Sequence, residues 1–274
     1  MPELPEVETI ARGLDAAVGG SRFRRIKVHR EEAVRPAEPA DFRAALRGRC
    51  VERVSRRAKW LVAQLDDGGR WLTQLRMTGR FTWGPVSPLR SAPHLSVSFL
   101  MDSPTGVLRF YDVRRFGRMW VVDPEAWSGL DERLGIEPLS EGFTPDTLAA
   151  QLARSKAPIR NLLLDQRRLA GVGNIYANEA CYRARLDPRR PAGSLKPQEV
   201  RALHAAIRKV LSAAITRRGT TFSDYRDILG GQGGFQNKLE VYGRDGQSCR
   251  RCRGTVERTV MAGRSAFFCA DCQS

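Results

Sequence analysis

The chain ends in two cysteine pairs, Cys249-Arg-Arg-Cys252 and Cys269-Ala-Asp-Cys272, with sixteen residues between them. Paired C-x-x-C sequences at this separation place four thiolates around a tetrahedral zinc ion and leave no ligand position for water. Because so short a segment has little core of its own, metal binding supplies much of its folding free energy. We therefore expect one structural Zn²⁺ bound by Cys249, Cys252, Cys269 and Cys272, with redox or disulfide chemistry as the alternative.

The residues between the two cysteine pairs predict a β-hairpin. Residues 255–260 and 265–268 can pair, with Met261-Ala262-Gly263-Arg264 at the tip. This hairpin would hold the Arg264 side chain out toward a ligand. The alternative is an ordinary solvated arginine.

Upstream of this module the chain is long and strongly basic. It has 274 residues, 46 Lys plus Arg against 30 Asp plus Glu, a formal net charge of +16 and 42% hydrophobic residues. The length suggests about two domains of ~150 residues, and the apolar content excludes wholesale disorder. Positive charge along the whole chain indicates a polyanionic partner, most often nucleic acid, with an acidic membrane surface as the alternative.

Neither membrane insertion nor secretion is expected. No window approaches the ~18 uninterrupted apolar residues of a spanning helix. Residues 1–10 are acidic where a secretory signal is basic, so the expected compartment is the cytoplasm. Four of the six cysteines fall in the last 26 residues, which in a reducing compartment favours metal ligation over disulfides. We interpret Cys50 and Cys181 as buried thiols without a chemical role.

The N-terminal part of the chain predicts one helix followed by an antiparallel sheet or sandwich. Apolar residues lie on one helical face that would end near Gly19 and Gly20: Val7, Ile10, Ala11, Leu14 and Val18. Short apolar or alternating runs follow at 60–65, 95–100 and 107–110, with turn sequences at 66–69 and 103–106.

The C-terminal part predicts helices. Glycines and prolines interrupt the pattern at 131–144, and helical periods follow at 148–152, 159–169, 175–184 and 200–215. The predicted fold is α+β. We expect an N-terminal β-sandwich domain at 1–130, a linker at 131–143, a helical domain at 144–236 and the zinc finger at 237–274.

Pro2 is an unusual candidate nucleophile. Removal of Met1 before this small residue would expose a secondary amine, and an α-amino group has a reference pKa near 7.7 to 8.0, so part of it is unprotonated near pH 7. A secondary amine attacks electrophilic carbon to give an iminium ion, and Glu3 and Glu6 can serve as general acid and base. An ordinary chain start is the alternative.

Other segments predict contacts to nucleic acid. In Asp112-Val-Arg-Arg-Phe-Gly117, arginine can read base edges and an aromatic residue can wedge a base step. Gly171-Val-Gly-Asn-Ile-Tyr176 predicts a tight turn whose backbone amides and Asn174 can hold a phosphate. Lys59 can contact another phosphate, as can His94. The alternative for the segment 112–117 is a strand end with ordinary surface arginines. For Lys59 the alternative is a solvated basic face, and Met77 would ordinarily be a core residue.

Several motifs occur together in one order along essentially the whole chain. They are Pro2-Glu-Leu-Pro-Glu-Val-Glu-Thr9, Lys59-Trp60, Leu75-Arg-Met-Thr-Gly79, Arg114-Arg-Phe-Gly117, Leu134-Gly-Ile-Glu-Pro-Leu139, Leu163-Leu-Asp-Gln166, Ala170-Gly-Val-Gly-Asn-Ile-Tyr176, Gly219-Thr-Thr221, Val241-Tyr-Gly-Arg244 and the four cysteines. In these motifs the sequence resembles the bacterial formamidopyrimidine-DNA glycosylases.

The resemblance implies a fold and an activity. The fold would be an N-terminal β-sandwich, a helix-two-turn-helix bundle and a zinc finger. The activity would be excision of oxidised purines from double-stranded DNA, preferably opposite cytosine, followed by β,δ-elimination at the abasic site. No feature indicates an obligate dimer, so we expect a monomer that acts on DNA and not on membranes.

The resemblance also implies a role for each matching residue. Pro2 would attack C1′, Glu3 would act as general acid, and Glu6 would support proton transfer. The residues expected to hold phosphates or replace stacked bases are Lys59, Arg264, Met77, His94, Arg114, Phe116, Arg160, Asn174 and Tyr242, with Arg114 reading the cytosine. The segment 220–235 would cover the lesion.

Four positions depart from the family pattern, and two alternatives stay open. Gln74 stands where histidine is common, Val113 where proline is common, Arg160 where lysine is usual, and Gly234 where an aromatic residue often precedes Phe235. The related endonuclease VIII type, which prefers oxidised pyrimidines, is the first alternative. Leu4, where that type usually has glycine, the trio Met77, Arg114 and Phe116, and the long lesion segment favour the purine branch. A catalytically silent, zinc-containing DNA-binding protein is the second.

Overall fold

The computed structural model of the chain describes residues 2–85, 92–102, 106–222 and 225–274. The chain divides into two compact units, Met1–Glu132 with Arg217–Gly234, and Arg133–Thr216 with Phe235–Ser274. We call them the first and the second unit. The segment Arg217–Gly234 thus groups with the N-terminal part of the chain, whereas the sequence analysis places it in the domain 144–236.

The first unit begins with helix α1, Leu4–Val18, which confirms the predicted helix. Its apolar face is buried, and the helix ends where the Gly19 N–H donates to the Asp15 carbonyl at 2.9 Å. The Asp15 carboxylate accepts the backbone N–H of Val54 at 2.6 Å and so fastens the helix to the neighbouring strand.

Within the described part of the first unit, eight strands and two further α-helices follow α1. The strands are β1 Phe23–Val28, β2 Val51–Arg57, β3 Trp60–Leu65, β4 Arg70–Gln74, β5 Gly79–Gly84, β6 Leu95–Met101, β7 Val107–Asp112 and β8 Arg118–Val122, and the helices are α2 Pro39–Leu46 and α3 Pro124–Asp131. The strands form two antiparallel sheets, in the orders β1-β6-β7-β5 and β2-β3-β4-β8. The predicted turn at 103–106 lies, except for Gly106, outside the described residues.

An aromatic cluster joins the two sheets. The Trp71 ring of β4 lies 5.5 Å from the Phe23 ring, 4.8 Å from Phe99 and 6.0 Å from Phe81, all three of the other sheet. Aromatic rings at these separations and tilted angles bury large apolar areas. The alternating strands therefore enclose a core between two sheets, as the predicted β-sandwich requires.

The second unit contains four α-helices and a hairpin. The helices are α4 Pro145–Leu152, α5 Ile159–Leu163, α6 Asn174–Arg183 and α7 Pro197–Thr216, and the hairpin strands are β9 Val256–Met261 and β10 Arg264–Cys269. Helix α6 packs against α7 and against β10. Among the described residues, no helix is long and apolar enough to cross a membrane.

Helix α5 is shorter than the periodicity at 159–169 predicts. The chain turns after Leu163, and Gln166 stabilises the turn: its Nε2 donates to the Val172 carbonyl at 2.8 Å and its Oε1 accepts the Gly171 N–H at 2.9 Å. Gly171 has φ +85°, which favours glycine. This turn leads into α6 and completes the helix-two-turn-helix arrangement.

Candidate functional site

The start of α1 brings Pro2, Glu3 and Glu6 together. All three are buried, and the two glutamates are only 3% and 2% exposed. One Glu6 oxygen accepts the backbone N–H of Glu3 at 2.8 Å, and the other accepts that of Thr220 at 2.7 Å. Glu6 is therefore fixed by backbone donors beside the candidate nucleophile. Met1 lies outside the described residues.

Close packing joins the segment 217–234 to the same place. Gly219 has φ +81°, and a Cβ atom there would lie 2.7 Å from Glu6 Oε1 and 2.9 Å from Glu6 Cγ. The Tyr225 hydroxyl donates to the Arg218 carbonyl at 3.0 Å, and burial, with the nearby Glu6 charge, raises the pKa of Tyr225. More than two hundred residues separate Glu6 from Thr220, so local sequence patterns do not predict this contact.

Lys59 lies in the tight turn between β2 and β3. Arg57 pairs with Trp60, so Ala58 and Lys59 form the turn, and Ala58 has φ +51°. Arg56 donates to the Ala58 carbonyl at 2.9 Å and to the Glu8 carboxylate of α1 at 3.1 Å. This bridge holds the turn with Lys59 against the N-terminal half of α1.

Met77, Arg114 and Phe116 form one exposed cluster. Met77 follows β4, and the other two follow β7. An Arg114 guanidinium nitrogen lies 2.8 Å from the Met77 sulfur, and the guanidinium carbon lies 4.8 Å from the centre of the Phe116 ring. Met77 and Phe116 remain 41% and 48% exposed. An exposed apolar pair with a cation between its members is suited to insertion between bases.

Asp112 positions this cluster, and the sequence analysis did not single it out. It is 2% exposed, and its carboxylate accepts the Thr78 hydroxyl, the Arg114 N–H at 3.2 Å and the buried Gly117 N–H at 2.6 Å. The two turns that carry Met77 and Arg114 therefore share one acceptor.

His94 lies beside the same turns. It is exposed, with φ +68°, and its carbonyl accepts the Asp112 N–H at 2.9 Å. The Asp112 backbone thus links His94 to the cluster of Met77, Arg114 and Phe116.

The four cysteines of the second unit meet in space. Their sulfur atoms all lie within 4.8 Å of one another, and the Cys249–Cys272 and Cys252–Cys269 sulfurs are 3.8 and 3.5 Å apart. Zn–S bonds of about 2.3 Å place tetrahedral sulfurs about 3.8 Å apart. The residues present therefore fit one structural Zn²⁺ with no open position.

Helix α6 carries the polar residues that face the hairpin. The Asn174 amide donates to the Ser265 carbonyl at 3.0 Å, next to Arg264, which is exposed at the tip. Asn178 is fully buried and accepts the Phe267 N–H at 2.8 Å. Asn174, one predicted phosphate ligand, is thus hydrogen-bonded to the residue that follows Arg264, the other predicted phosphate ligand.

Arg160 lies differently from its predicted role as a DNA contact. Its side chain is 0% exposed and donates to the Met261 carbonyl at 3.0 Å, to the Ser265 carbonyl at 3.2 Å and to the Asn174 side-chain oxygen. Because all these acceptors belong to protein, this geometry supports a role in positioning Asn174 and the hairpin.

Glu179 anchors the turn that carries Tyr242. Its carboxylate, 2% exposed, accepts the backbone N–H groups of Glu240, Val241 and Tyr242 at 2.9, 3.0 and 2.9 Å. Burial raises the pKa of Glu179 above its ordinary value, and the three backbone hydrogen bonds offset only part of this rise. The Tyr242 ring packs edge-on against Phe267 of the hairpin at 5.0 Å. A lone acid in an apolar helix was the only sequence signal for this anchor.

Three of the positions that depart from the family pattern, Gln74, Val113 and Gly234, differ in their burial and hydrogen bonds. Gln74 ends β4, and its buried Oε1 has no hydrogen-bond partner among the described residues. Val113 is 54% exposed next to the Met77 cluster. The Gly234 N–H donates to the Arg217 carbonyl at 2.8 Å, which closes the base of the segment 217–234.

A β-sandwich with Pro2 and Glu3 at its first helix, a helix-two-turn-helix and a four-cysteine finger define a DNA glycosylase with abasic-site lyase activity. Three family models match the chain: the formamidopyrimidine-DNA glycosylase N-terminal domain at 1–119, the H2TH domain of the same glycosylase at 134–226, and the zinc finger found in FPG and IleRS at 246–274. The chain belongs to the formamidopyrimidine-DNA glycosylase family.

Curated relatives agree over the full length. The formamidopyrimidine-DNA glycosylase of Chloroflexus aurantiacus is 43% identical over 275 residues, which cover 100% of this chain and 98% of the relative. That of Pelotomaculum thermopropionicum is 41% identical over 277 residues, covering 100% and 99%. The predicted resemblance is confirmed.

Solved structures match as closely. The MutM (Fpg) protein of Thermus thermophilus has a TM-score of 0.88 at 42% identity, covering 99% of this chain and 98% of that one. A variant of the Lactococcus lactis enzyme bound to DNA containing Fapy-dG has a TM-score of 0.92 at 30% identity, covering 100% of both chains. The predicted α+β architecture is confirmed, and the family function is base-excision repair of oxidised purines.

Proposed function

We propose that this protein excises 8-oxoguanine and formamidopyrimidines from duplex DNA with Pro2 as nucleophile and then cleaves the abasic strand. The observation that carries the proposal is the buried start of α1, where Pro2 lies beside Glu3 and the doubly hydrogen-bonded Glu6. The bacterial origin of the relatives supports a cytoplasmic location, and the single-chain DNA complexes of the structural relatives support a monomer.

The reaction follows from a secondary amine. The Pro2 nitrogen attacks C1′ of the damaged nucleotide, the glycosidic C–N bond breaks, and the base leaves with a proton. Opening of the sugar ring, with a proton delivered to its oxygen by Glu3, gives an iminium ion that withdraws electrons from C2′. Loss of a C2′ proton expels the 3′ phosphate, and a second elimination expels the 5′ phosphate. Water then releases Pro2.

The fixed geometry of Glu6 defines its part in these steps. Its two oxygens accept backbone N–H groups, which stabilise the carboxylate form. A carboxylate held beside the amine can accept its proton as the C–N bond forms. Glu6 also accepts the Thr220 N–H of the segment 217–234. The segment proposed to cover the lesion is therefore hydrogen-bonded directly to Glu6.

The remaining site residues are assigned to DNA. Met77, Arg114 and Phe116 would occupy the stack that the flipped nucleotide leaves, with Arg114 reading the opposite cytosine, and filling that space offsets the few kcal/mol that flipping costs. Lys59, His94, Asn174, Tyr242 and Arg264 would contact phosphates. Arg160 would act through Asn174 and the hairpin.

Oxidised pyrimidines are a second candidate substrate class. The Lactococcus lactis Fpg has been solved with DNA containing an oxidised pyrimidine, and it matches this chain with a TM-score of 0.91 at 30% identity. We propose weaker activity on such lesions than on 8-oxoguanine. Parallel single-turnover excision of 8-oxoguanine and of an oxidised thymine, each opposite its normal partner, measures the preference.

Borohydride trapping tests the nucleophile. With a duplex carrying 8-oxoguanine opposite cytosine, the processed enzyme should give a covalent adduct that Pro2→Gly loses. A chain with one extra residue before Pro2 lacks the free imino group and should also give none. Pro5→Ala, which changes a proline of the same helix without touching the terminus, is the matched control and should trap as the wild type does. Undiminished trapping by the extended chain would refute the proposal.

A further inference from the structure

A groove outside the site residues is lined by four arginines. It lies between strand β1 and helix α2 and encloses about 400 Å³. Its lining residues are Arg24, Arg25, Ile26, Ala40, Arg43, Ala44 and Arg47. All four arginines are exposed, and no acidic residue lines the groove. We call it the arginine groove.

The local backbone explains why these four side chains share one groove. Arg43 lies in the last turn of α2, and Arg47, four residues on, is the C-cap residue whose N–H donates to the Arg43 carbonyl, so the two residues lie on the same side of the helix end. On β1, Phe23 pairs with Met101 and Arg25 pairs with Leu100, so two steps along β1 match one along β6. A bulge of this kind redirects a side chain, which lets the consecutive residues Arg24 and Arg25 line one cavity.

The neighbouring arginines show that the fold can supply counter-charges here. Arg22 binds the Asp66 carboxylate at 2.6 Å, and Arg49 binds that of Asp67 at 3.0 Å. By contrast, none of the four guanidinium groups of the groove forms an ion pair or a side-chain hydrogen bond with any residue that the structure describes. Four like charges gathered without a partner favour an anionic ligand.

We propose that the arginine groove binds the phosphate backbone of a second DNA duplex, separate from the one that carries the lesion. Guanidinium groups form paired hydrogen bonds with phosphate oxygens, and an exposed row of them fits a repeating phosphodiester better than an enclosed small anion. None of the site residues lies on β1 or α2. An enzyme that searches undamaged DNA would gain from this surface a second, sequence-independent contact through which it passes between duplex segments.

The test uses the enzyme already occupied by its first duplex. A short unlabelled duplex with a tetrahydrofuran abasic analogue saturates the catalytic site, and a labelled undamaged duplex is then titrated while its anisotropy is measured. We expect one further duplex per protein. The logarithm of its binding constant should fall with the logarithm of salt concentration with a slope of about −3.6 if each arginine covers one phosphate.

Two variants of equal charge decide the outcome. The groove variant combines four substitutions: Arg24→Gln, Arg25→Gln, Arg43→Gln and Arg47→Gln. It should bind the second duplex at least tenfold more weakly, and its affinity for the first duplex should stay within twofold of the wild type. The control removes four exposed cations of the second unit, Arg133, Lys196, Arg201 and Lys209, also to Gln, and should retain the second duplex.

Several results would overturn the proposal. These are no second duplex on the wild type, full retention by the groove variant, or equal loss in the control variant. Binding of pyrophosphate or of an acidic peptide at the groove without binding of duplex would do the same. Affinity for the first duplex is a separate readout, so a failed groove and a failed glycosylase assignment are told apart.

Discussion

Replacing Asp112 with alanine should loosen the Met77 cluster and lower the stability of the first unit. The carboxylate is the acceptor for the buried Gly117 N–H at 2.6 Å, and an unsatisfied buried donor costs about 1–3 kcal/mol. The Arg114 N–H also donates to the Thr78 hydroxyl oxygen at 3.0 Å, so the loss of its hydrogen bond to Asp112 adds little to the destabilisation. We expect a destabilisation of about 2–3 kcal/mol.

Thermal unfolding and single-turnover excision measure the two consequences. A loss of this size lowers the melting temperature by about 5–10 °C in a protein of this size class. Because Arg114 and Phe116 lose their fixed turn, excision opposite cytosine should slow about tenfold, and the preference for cytosine over adenine as opposite base should shrink.

Arg115→Ala is the matched control in the same turn. Its ion pair with Glu32 spans 3.5 Å between side chains that are 50% and 39% exposed, and such pairs contribute about 0–1 kcal/mol. We expect little change in melting temperature and an unchanged opposite-base preference. If Asp112→Ala behaves like Arg115→Ala in both assays, Asp112 does not position the cluster.

The remaining predictions concern the second unit and the bound DNA. Glu179→Ala leaves one buried and two partly buried N–H groups without their acceptor, so it should cost about 2–4 kcal/mol and speed zinc release. Glu179→Gln keeps one acceptor oxygen and should cost less, and equal unfolding curves for the two variants would contradict this. Chelation of zinc should abolish DNA binding while the near-ultraviolet signal of the first unit persists, and unchanged DNA binding by metal-free protein would refute the structural role of the metal. Binding to lesion-bearing DNA should weaken steeply with salt, and a flat dependence would exclude a phosphate-lined site.

The sequence predicted those features that depend on local spacing. The apolar period from Val7 to Val18 corresponds to α1, and the two C-x-x-C pairs correspond to four sulfurs within 4.8 Å. In each case the residues that form the feature are close in the chain or repeat at a fixed interval, so period and spacing suffice.

The features that the sequence did not predict depend on long-range packing or on buried polar groups. Nothing near Glu6 in the chain shows that Thr220 donates to it, and nothing near Asp112 shows that its carboxylate serves two turns. For Arg160, the family resemblance implies a contact to DNA, whereas the fold buries the residue completely among acceptors of the protein. A buried acid or base has the same one-letter symbol as an exposed one, and its role becomes visible only with its acceptors and donors in place.

Peptide mapping of the borohydride-reduced adduct tests most directly whether the Pro2 nitrogen forms the bond to deoxyribose. Trypsin should release the peptide 2–12, which ends at Arg12, and mass spectrometry should find the sugar remnant on its N-terminal proline with Met1 absent. The same remnant on the peptide that contains Lys59, or an active enzyme that retains Met1, would contradict the assignment of Pro2 as the nucleophile.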